Sequence, residues 1–239
     1  MFSPIDSLKS LWHEDLVKNP TVHGWVLNLY RAGEKYPQLV SDYFPWQFAP
    51  WKELASQMRQ HEQEESRHER LLSQTLKKMG QPLVEFRGHD IFNEVIRKHT
   101  PVSFRILKKD PEKNRHLKLA HFLAHAHCLE KRVLRSLEYH YETCEKAGNK
   151  IAAKAVHFIL QDERKHVEYT KRAVRELLPL GQAKSVFKLH RKIEAKANLE
   201  FSNSQVKIFL KHYSEAVPRT HRWLYRFCAW VMESAASYV

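Results

Sequence analysis

Apolar residues recur along this chain at intervals of three and four, the period of helices buried on one face. In residues 4–18, Ile5, Leu8, Leu11, Trp12 and Leu16 fall on one side, and Asn19-Pro20 ends the segment. A second helix is expected from Thr21, carrying Val26, Leu27 and Tyr30 toward Glu34. Pro37 should kink or end it, because proline removes a backbone donor and crowds the preceding turn. The aromatic, proline-broken run 38–49 leaves open whether the helix resumes as far as 46. Pro50 suits a first helical position, and the pattern then runs to Met79, where Gly80 and Pro82 stop it. Asp90 is expected to cap a short helix through Lys98. Asp110-Pro111 then starts a long helix that Gly148 stops near Ala147. Asn149 caps the next, which reaches Leu178 before Pro179 and Gly181. Two or three shorter helices should fill 182–237, one opening at Ser202 and another after Pro218. Strand-like alternation between turn residues is missing, and no internal repeat stands out. The prediction is one all-α domain over 1–239, with four longer helices near 21–46, 50–79, 111–147 and 149–178.

Composition narrows this further. The 43% hydrophobic content supports a real core, and 28% charged residues with recurrent Leu, Ile, Val and Phe argue against disorder. No run of about 18 apolar residues marks a spanning helix, and the opening MFSPIDSLKSLWHEDL carries acids where a secretory leader needs an apolar stretch. Three cysteines (Cys128, Cys144, Cys228) form no CxxC pair, against a disulfide framework or zinc ribbon. The expectation is a reduced, cytoplasmic protein, with peripheral association at a membrane as the second placement. No nucleophile elbow or phosphate-binding loop is present, so hydrolase and nucleoside-triphosphatase readings have no support.

The candidate chemistry lies on the long helices. The third stretch contains Glu65 and His68 within HEQEESRHERLL, and the last contains Glu163 and His166 within LQDERKHVEY. Residues three apart share a helical face, so each pair can offer a carboxylate oxygen and an imidazole nitrogen to one metal. With 21 Glu and 16 His, chance alone supplies about 1.4 Glu-x-x-His matches, so the motif by itself decides nothing. The context does. Glu65 and His68 share a face with Leu54, Met58, His61, Leu72 and Thr75, and Glu163 and His166 with Val156, Ile159, Thr170 and Val174. Such polar pairs on apolar stripes are costly to bury without a compensating ion or partner. Glu130 interrupts a stripe of Leu123, Ala126, Leu134 and Leu137, and Glu34 follows Val26, Leu27 and Tyr30 at helical spacing. The order is Glu, Glu-x-x-His, Glu, Glu-x-x-His, at intervals of 31, 65 and 33 residues that let antiparallel helices bring all six groups to one level. Four carboxylates would balance two divalent ions, and oxygen donors with one imidazole per ion suit iron or manganese. His61 and His127, one turn from Glu65 and Glu130, could each join or replace a ligand, and the favoured reading is a polar-network partner. Tyr30 and Tyr169 read as core packing, and Cys128 as a small buried apolar group.

These residues resemble the ferritin-like dimetal-carboxylate superfamily over roughly 21–178. The resemblance rests on RAGE ending at Glu34, EESRH ending at His68, CLEKR containing Glu130 and DERKH ending at His166. RAGE looks like the first-helix motif of quinone-ring hydroxylases, the Cys-x-Glu and dense acids look more like tRNA hydroxylases, and the spacing resembles aldehyde-deformylating oxygenases. Pro37 close behind Glu34, and the lack of Gly-rich segments, depart from the quinone hydroxylases. The resemblance implies a ferritin-like four-helix bundle with additional N-terminal and C-terminal helices. It also implies two Fe ions (or Mn) held by Glu34, Glu65, His68, Glu130, Glu163 and His166. The implied activity is oxidation of an organic substrate with dioxygen and an external electron donor. No residue is singled out as catalytic, and the oligomeric state stays open.

The formal net charge is +13. Segment 97–118 has eight basic residues against two acids, and 181–239 has ten against four. The second region interleaves its charge with Phe187, Phe201, Phe209, Tyr213, Trp223, Tyr225, Phe227 and Trp230. Such a surface suits a tRNA partner through phosphate contact and base stacking, or an anionic membrane surface. Charge favours a tRNA base as the substrate. The aromatic residues favour a lipid, aldehyde or quinone. Iron storage and a metal-free helical binding protein are the alternatives outside enzyme chemistry.

Overall fold

The computed structural model describes residues 4–236, and every regular element in them is helical; no strand occurs among the described residues. The first three residues of the leader reading lie outside them. In chain order the helices are α1 (Pro4–Lys18), α2 (Pro20–Leu39), α3 (Lys52–Lys78), α4 (Phe92–Lys98), α5 (Glu112–Lys146), α6 (Lys150–Leu177), α7 (Leu180–His212) and α8 (Arg219–Ala236), with single 3-10 turns at Trp46–Phe48, Gly88–Asp90 and Ser214–Ala216.

Local chemistry sets most of the boundaries. Asn19 Oδ1 accepts from the amides of Thr21 (2.9 Å) and Val22 (3.2 Å), capping α2 as Pro20 opens it. Gly80 (φ 68°) and Gly148 (φ 70°) take the left-handed conformation that closes α3 and α5. The following amides, of Gln81 and Asn149, reach back to the Leu76 and Cys144 carbonyls at 2.9 Å. Asn149 also caps α6, its side-chain oxygen accepting from the Ala152 amide at 3.2 Å.

Elsewhere the chain departs from expectation. Pro37 is tolerated in the last turn of α2, which stops at Leu39 rather than 46, since the only bond it forfeits is the one to the Gly33 carbonyl. Pro50 precedes the helix, and Trp51 holds the N-cap position of α3. Asp90 caps nothing: it sits in a 3-10 turn, and α4 starts after Ile91 without a side-chain cap. The largest difference is α7. Residues 180–212 form one helix rather than several, with Pro179 at its N-cap, where a missing N–H costs nothing. Ser202 lies in its interior and donates to Asn198 Oδ1 at 2.8 Å. Buried positions from Ala183 to Phe209 run the length of α7, so packing against α4, α5 and α8 overrides the weak propensity of the Ser202–Ser204 run.

The helices α2 and α3 pack as a pair, as do α5 and α6, and α3 lies against α6. Two apolar layers result. One holds Phe44, Leu54, Met58, Phe122, Leu123 and Val174; the other holds Leu27, Leu72, Leu76, Leu137, Val156 and Ile159. Each fully buried Leu, Met or Phe contributes about 2 kcal/mol relative to exposure. Along α3 the polar stretch Glu64–His68 lies between Met58 of one layer and Leu72 of the other. The buried Arg31 fixes the register of α2: its guanidinium donates to Glu69 (3.1 Å), the Val84 carbonyl (2.8 Å) and Glu85 (2.9 Å). Glu34, three residues on, then faces α3.

Candidate metal centre

All six residues singled out by spacing meet between those layers. Glu34 comes from α2, Glu65 and His68 from α3, Glu130 from α5, and Glu163 and His166 from α6; none is more than 6% exposed. They form two overlapping groups, each with one donor atom per residue within 4.8 Å of the others. One is Glu34, Glu65, His68 and Glu163; the other is His61, Glu65, Glu130 and His166. Glu65 belongs to both. Glu163 also spans them, with Oε1 at 3.5 Å from His68 Nδ1 and Oε2 at 3.4 Å from His166 Nδ1.

His61 takes the less favoured of its two roles. Its Nε2 lies 3.2 Å from Glu65 Oε1 and 3.4 Å from Glu130 Oε1, its ring stacks on His166 at 3.6 Å, and its Nδ1 pairs with the Tyr169 hydroxyl at 2.7 Å. His61 is therefore a donor of the second group. His127 is not: its Nδ1–H donates to the Val167 carbonyl at 3.0 Å. Tyr30 is half-buried and pairs with Ser136 at 3.3 Å, apart from both groups.

Glu64 and Asp162 escaped the sequence reading. Each immediately precedes a Glu-x-x-His glutamate, and each takes the outer nitrogen of the opposite helix's histidine. His166 Nε2 donates to Glu64 at 2.8 Å and His68 Nε2 to Asp162 at 3.2 Å. This fixes protons on both Nε2 atoms and aims both Nδ1 atoms at the cluster. Gln60 holds Glu64 at 2.9 Å, Lys165 holds Asp162 at 2.9 Å, and Arg67 touches both acids. The signal was present as the doublets Glu64-Glu65 and Asp162-Glu163.

The electrostatics of the cluster suit a bound cation. Burial, then the facing carboxylates, push Glu65 and Glu163 well above the usual carboxyl range. Burial acts on Glu130 in the same sense, but His61 and His166 hold it below its ordinary value. Burial also opposes charge on His68, yet Glu34, Glu65 and Asp162 outweigh it and hold the imidazole up at about 9. His166 is lowered to about 4 by burial and by His61. His61 Nε2, Glu65 Oε1, both Glu163 oxygens and His166 Nδ1 are buried without a hydrogen-bond partner. Five such atoms converging on one space, held only by ion-pair contacts of 3.2 Å or longer, are costly unless an ion supplies better partners. Four carboxylates and three imidazole nitrogens fit two divalent ions of the iron or manganese kind. A cleft of about 260 Å³ between α3 and α6, lined by Gln57, Gln60, Glu64, Lys165, His166 and Tyr169 among others, reaches the edge of this cluster.

A third buried group, His23, His140 and Cys144, has donor types suited to a metal, but hydrogen bonding already accounts for it. Because Asn149 Oδ1 caps α6, its Nδ2 must donate to His23 Nδ1 (3.2 Å). His23 then carries its proton on Nε2 and donates to His140 Nε2 (3.0 Å). His140 in turn donates from Nδ1 to His13 Nδ1 (3.4 Å). The helix cap thus sets the direction of a string of three neutral imidazoles, and leaves His23 no lone pair for an ion.

Compared with protein-family models, curated proteins and solved structures, the chain matches none.

Proposed function

We propose that this protein is a dioxygen-activating oxidoreductase of the ferritin-like dimetal-carboxylate type, holding two iron ions (or manganese) and oxidising an organic substrate. The observation that carries the reading is the pair of overlapping Glu/His groups that share Glu65, with five buried polar atoms left without a hydrogen-bond partner between them. When bound, the metals would supply the redox chemistry of dioxygen reduction, with electrons from an external donor. The protein's part is binding, orientation and water exclusion. Glu65 and Glu163, which belong to or touch both groups, would hold the ions together with Glu34 and Glu130, and His61, His68 and His166 would supply nitrogen. Glu64 and Asp162 accept the outer imidazole protons and so orient each inner nitrogen toward the centre, where an ion would displace the proton of His68. Phe44, Met58, Leu72 and Ile159 shield the centre with apolar surface. The cleft beside His166 gives a substrate its approach. Its lining sets amides and charged groups beside more extensive apolar surface, which suits an organic group with an apolar body and a polar end.

Metal analysis of protein produced with ample iron should give two ions per chain, lost together in Glu163→Ala/His166→Ala while the fold is kept. The diferrous protein should consume dioxygen within a single turnover and retain only those two ions. Less than about half an ion per chain would remove the site. Continued uptake and mineralisation of added iron would make the protein a store instead.

A further inference from the structure

We infer that α8 seats the protein on an anionic lipid surface. On α8, Trp223, Phe227 and Trp230 project on one stripe at 70%, 59% and 63% exposure, with Val231 beside them. Phe227 lies against Trp230 and Arg226 over the Trp223 ring, so the stripe is a continuous aromatic surface. Its exposure is not that of a frayed end. The opposite side of α8 is tied down, with Tyr225 donating to Asp15 at 2.6 Å and His221 pairing with Asp15 at 2.7 Å, and the surface pairs Arg222–Glu215 and Lys207–Glu233 flank the stripe. The protein therefore holds three large aromatic side chains in water on a fixed helix, a marked cost unless something covers them.

Charge selects the occupant. Arg219 and Arg226 are exposed on the same stripe, and neither has a carboxylate partner among the described residues. With the overall +13, this face would repel a second copy of itself and attract a negative surface. A single helix with aromatic rings flanked by arginines matches the interfacial mode. In it the indoles lie at headgroup depth and the arginine stems reach the lipid phosphates. No described helix is long and apolar enough to cross a membrane, so α8 would lie in the plane.

The test is flotation of the full-length protein with vesicles of phosphatidylcholine alone or mixed with phosphatidylserine, together with quenching of its tryptophan fluorescence by brominated lipid. Binding should need phosphatidylserine and weaken with salt. Trp223→Ser/Phe227→Ser/Trp230→Ser should lose at least about tenfold in affinity with unchanged circular dichroism and metal content. Arg219→Gln/Arg226→Gln should lose about fivefold per charge on the anionic vesicles. Equal binding by the triple variant would overturn the inference. So would stripe-dependent binding of RNA, or a dimer that the same substitutions dissolve. None of these readouts depends on the metal centre, so failure here and failure of the oxidoreductase reading are distinguishable.

Discussion

Asn149 offers a direct test of whether one helix cap dictates the protonation of a buried histidine string. In Asn149→Ala both bonds of the side chain disappear. The lost cap costs about 0.5–2 kcal/mol, and His23 Nδ1, buried without its donor, costs about 1–3 kcal/mol more, so about 1.5–5 kcal/mol of stability should go. Asn149→Asp keeps the cap oxygen but has no N–H. His23 must then turn its proton to Nδ1 and accept at Nε2, His140 must donate from Nε2, and His13 must donate from Nδ1. Every bond survives in reverse, so at pH 7.5 this variant should stay within about 1 kcal/mol of the parent. The two should diverge in acid. Burial lowers His23 to about 4 and His13 to about 3. Both therefore stabilise the fold fully above the unfolded value near 6.5, and their contribution falls as pH drops toward the folded values. At pH 5 each ring has lost about 2 kcal/mol. A carboxylate at 149 would favour a charged His23 and shrink that ring's loss. Urea titrations at pH 7.5 and 5, with nitrogen-15 shifts of the imidazoles, read out both effects. If Asn149→Asp is as unstable as Asn149→Ala, or its His23 still carries the proton on Nε2, the cap does not set the string's direction.

Four further outcomes follow from the same structure. Replacing Glu64 or Asp162 by Ala should weaken metal retention about 10- to 100-fold in chelator competition without unfolding the protein; unchanged retention would mean that their bonds to His166 and His68 orient nothing. Metal loading should release protons, because burial and the facing carboxylates raise Glu65 and Glu163, and the neighbouring carboxylates raise His68, so each favours a proton that an ion would displace. Apparent affinity should accordingly rise with pH until His68 has titrated near 9, which calorimetry in buffers of different ionisation enthalpy would measure. Met58→Ala, at a fully buried position next to the centre, should lower unfolding stability by about 2–5 kcal/mol in denaturant titrations. Ser202→Pro should cost about 3 kcal/mol or more if α7 is continuous there, whereas a helix opening at Ser202 would absorb the proline with little loss of helical circular dichroism.

The apolar stripes and the punctuation were legible because both are local. As helix caps and stops, Asn19, Gly80, Gly148 and Asn149 each act through atoms within six residues, and the three- and four-residue spacing of Leu54, Met58 and Leu72 needs no knowledge of the partner helix. The order of the four glutamates and two histidines was likewise visible, since it survives any rotation that buries the stripes. What stayed hidden depends on neighbours. Glu64 and Asp162 acquire their role only when α3 and α6 are set at one height, and His61 becomes a donor only because Glu130 arrives from α5. The length of α7 was misread for a related reason. Its local sequence, with Gly181 and the Ser202–Ser204 run, is a weak helix former, and the contacts that sustain it come from α4, α5 and α8.

The donor sets on the two sides of Glu65 are unequal. One side gathers Glu34, Glu163 and His68, three oxygen-bearing residues with the shared glutamate and a single nitrogen; the other gathers His61, Glu130 and His166, with two nitrogens. Any pair of ions seated here would meet different ligand fields. The oxygen-rich side favours the harder, more highly charged ion, and the imidazole-rich side the softer one. Filling would then be sequential rather than simultaneous, the two ions would give up electrons at different potentials, and a mixed-metal pair would have a preferred arrangement written into the helices.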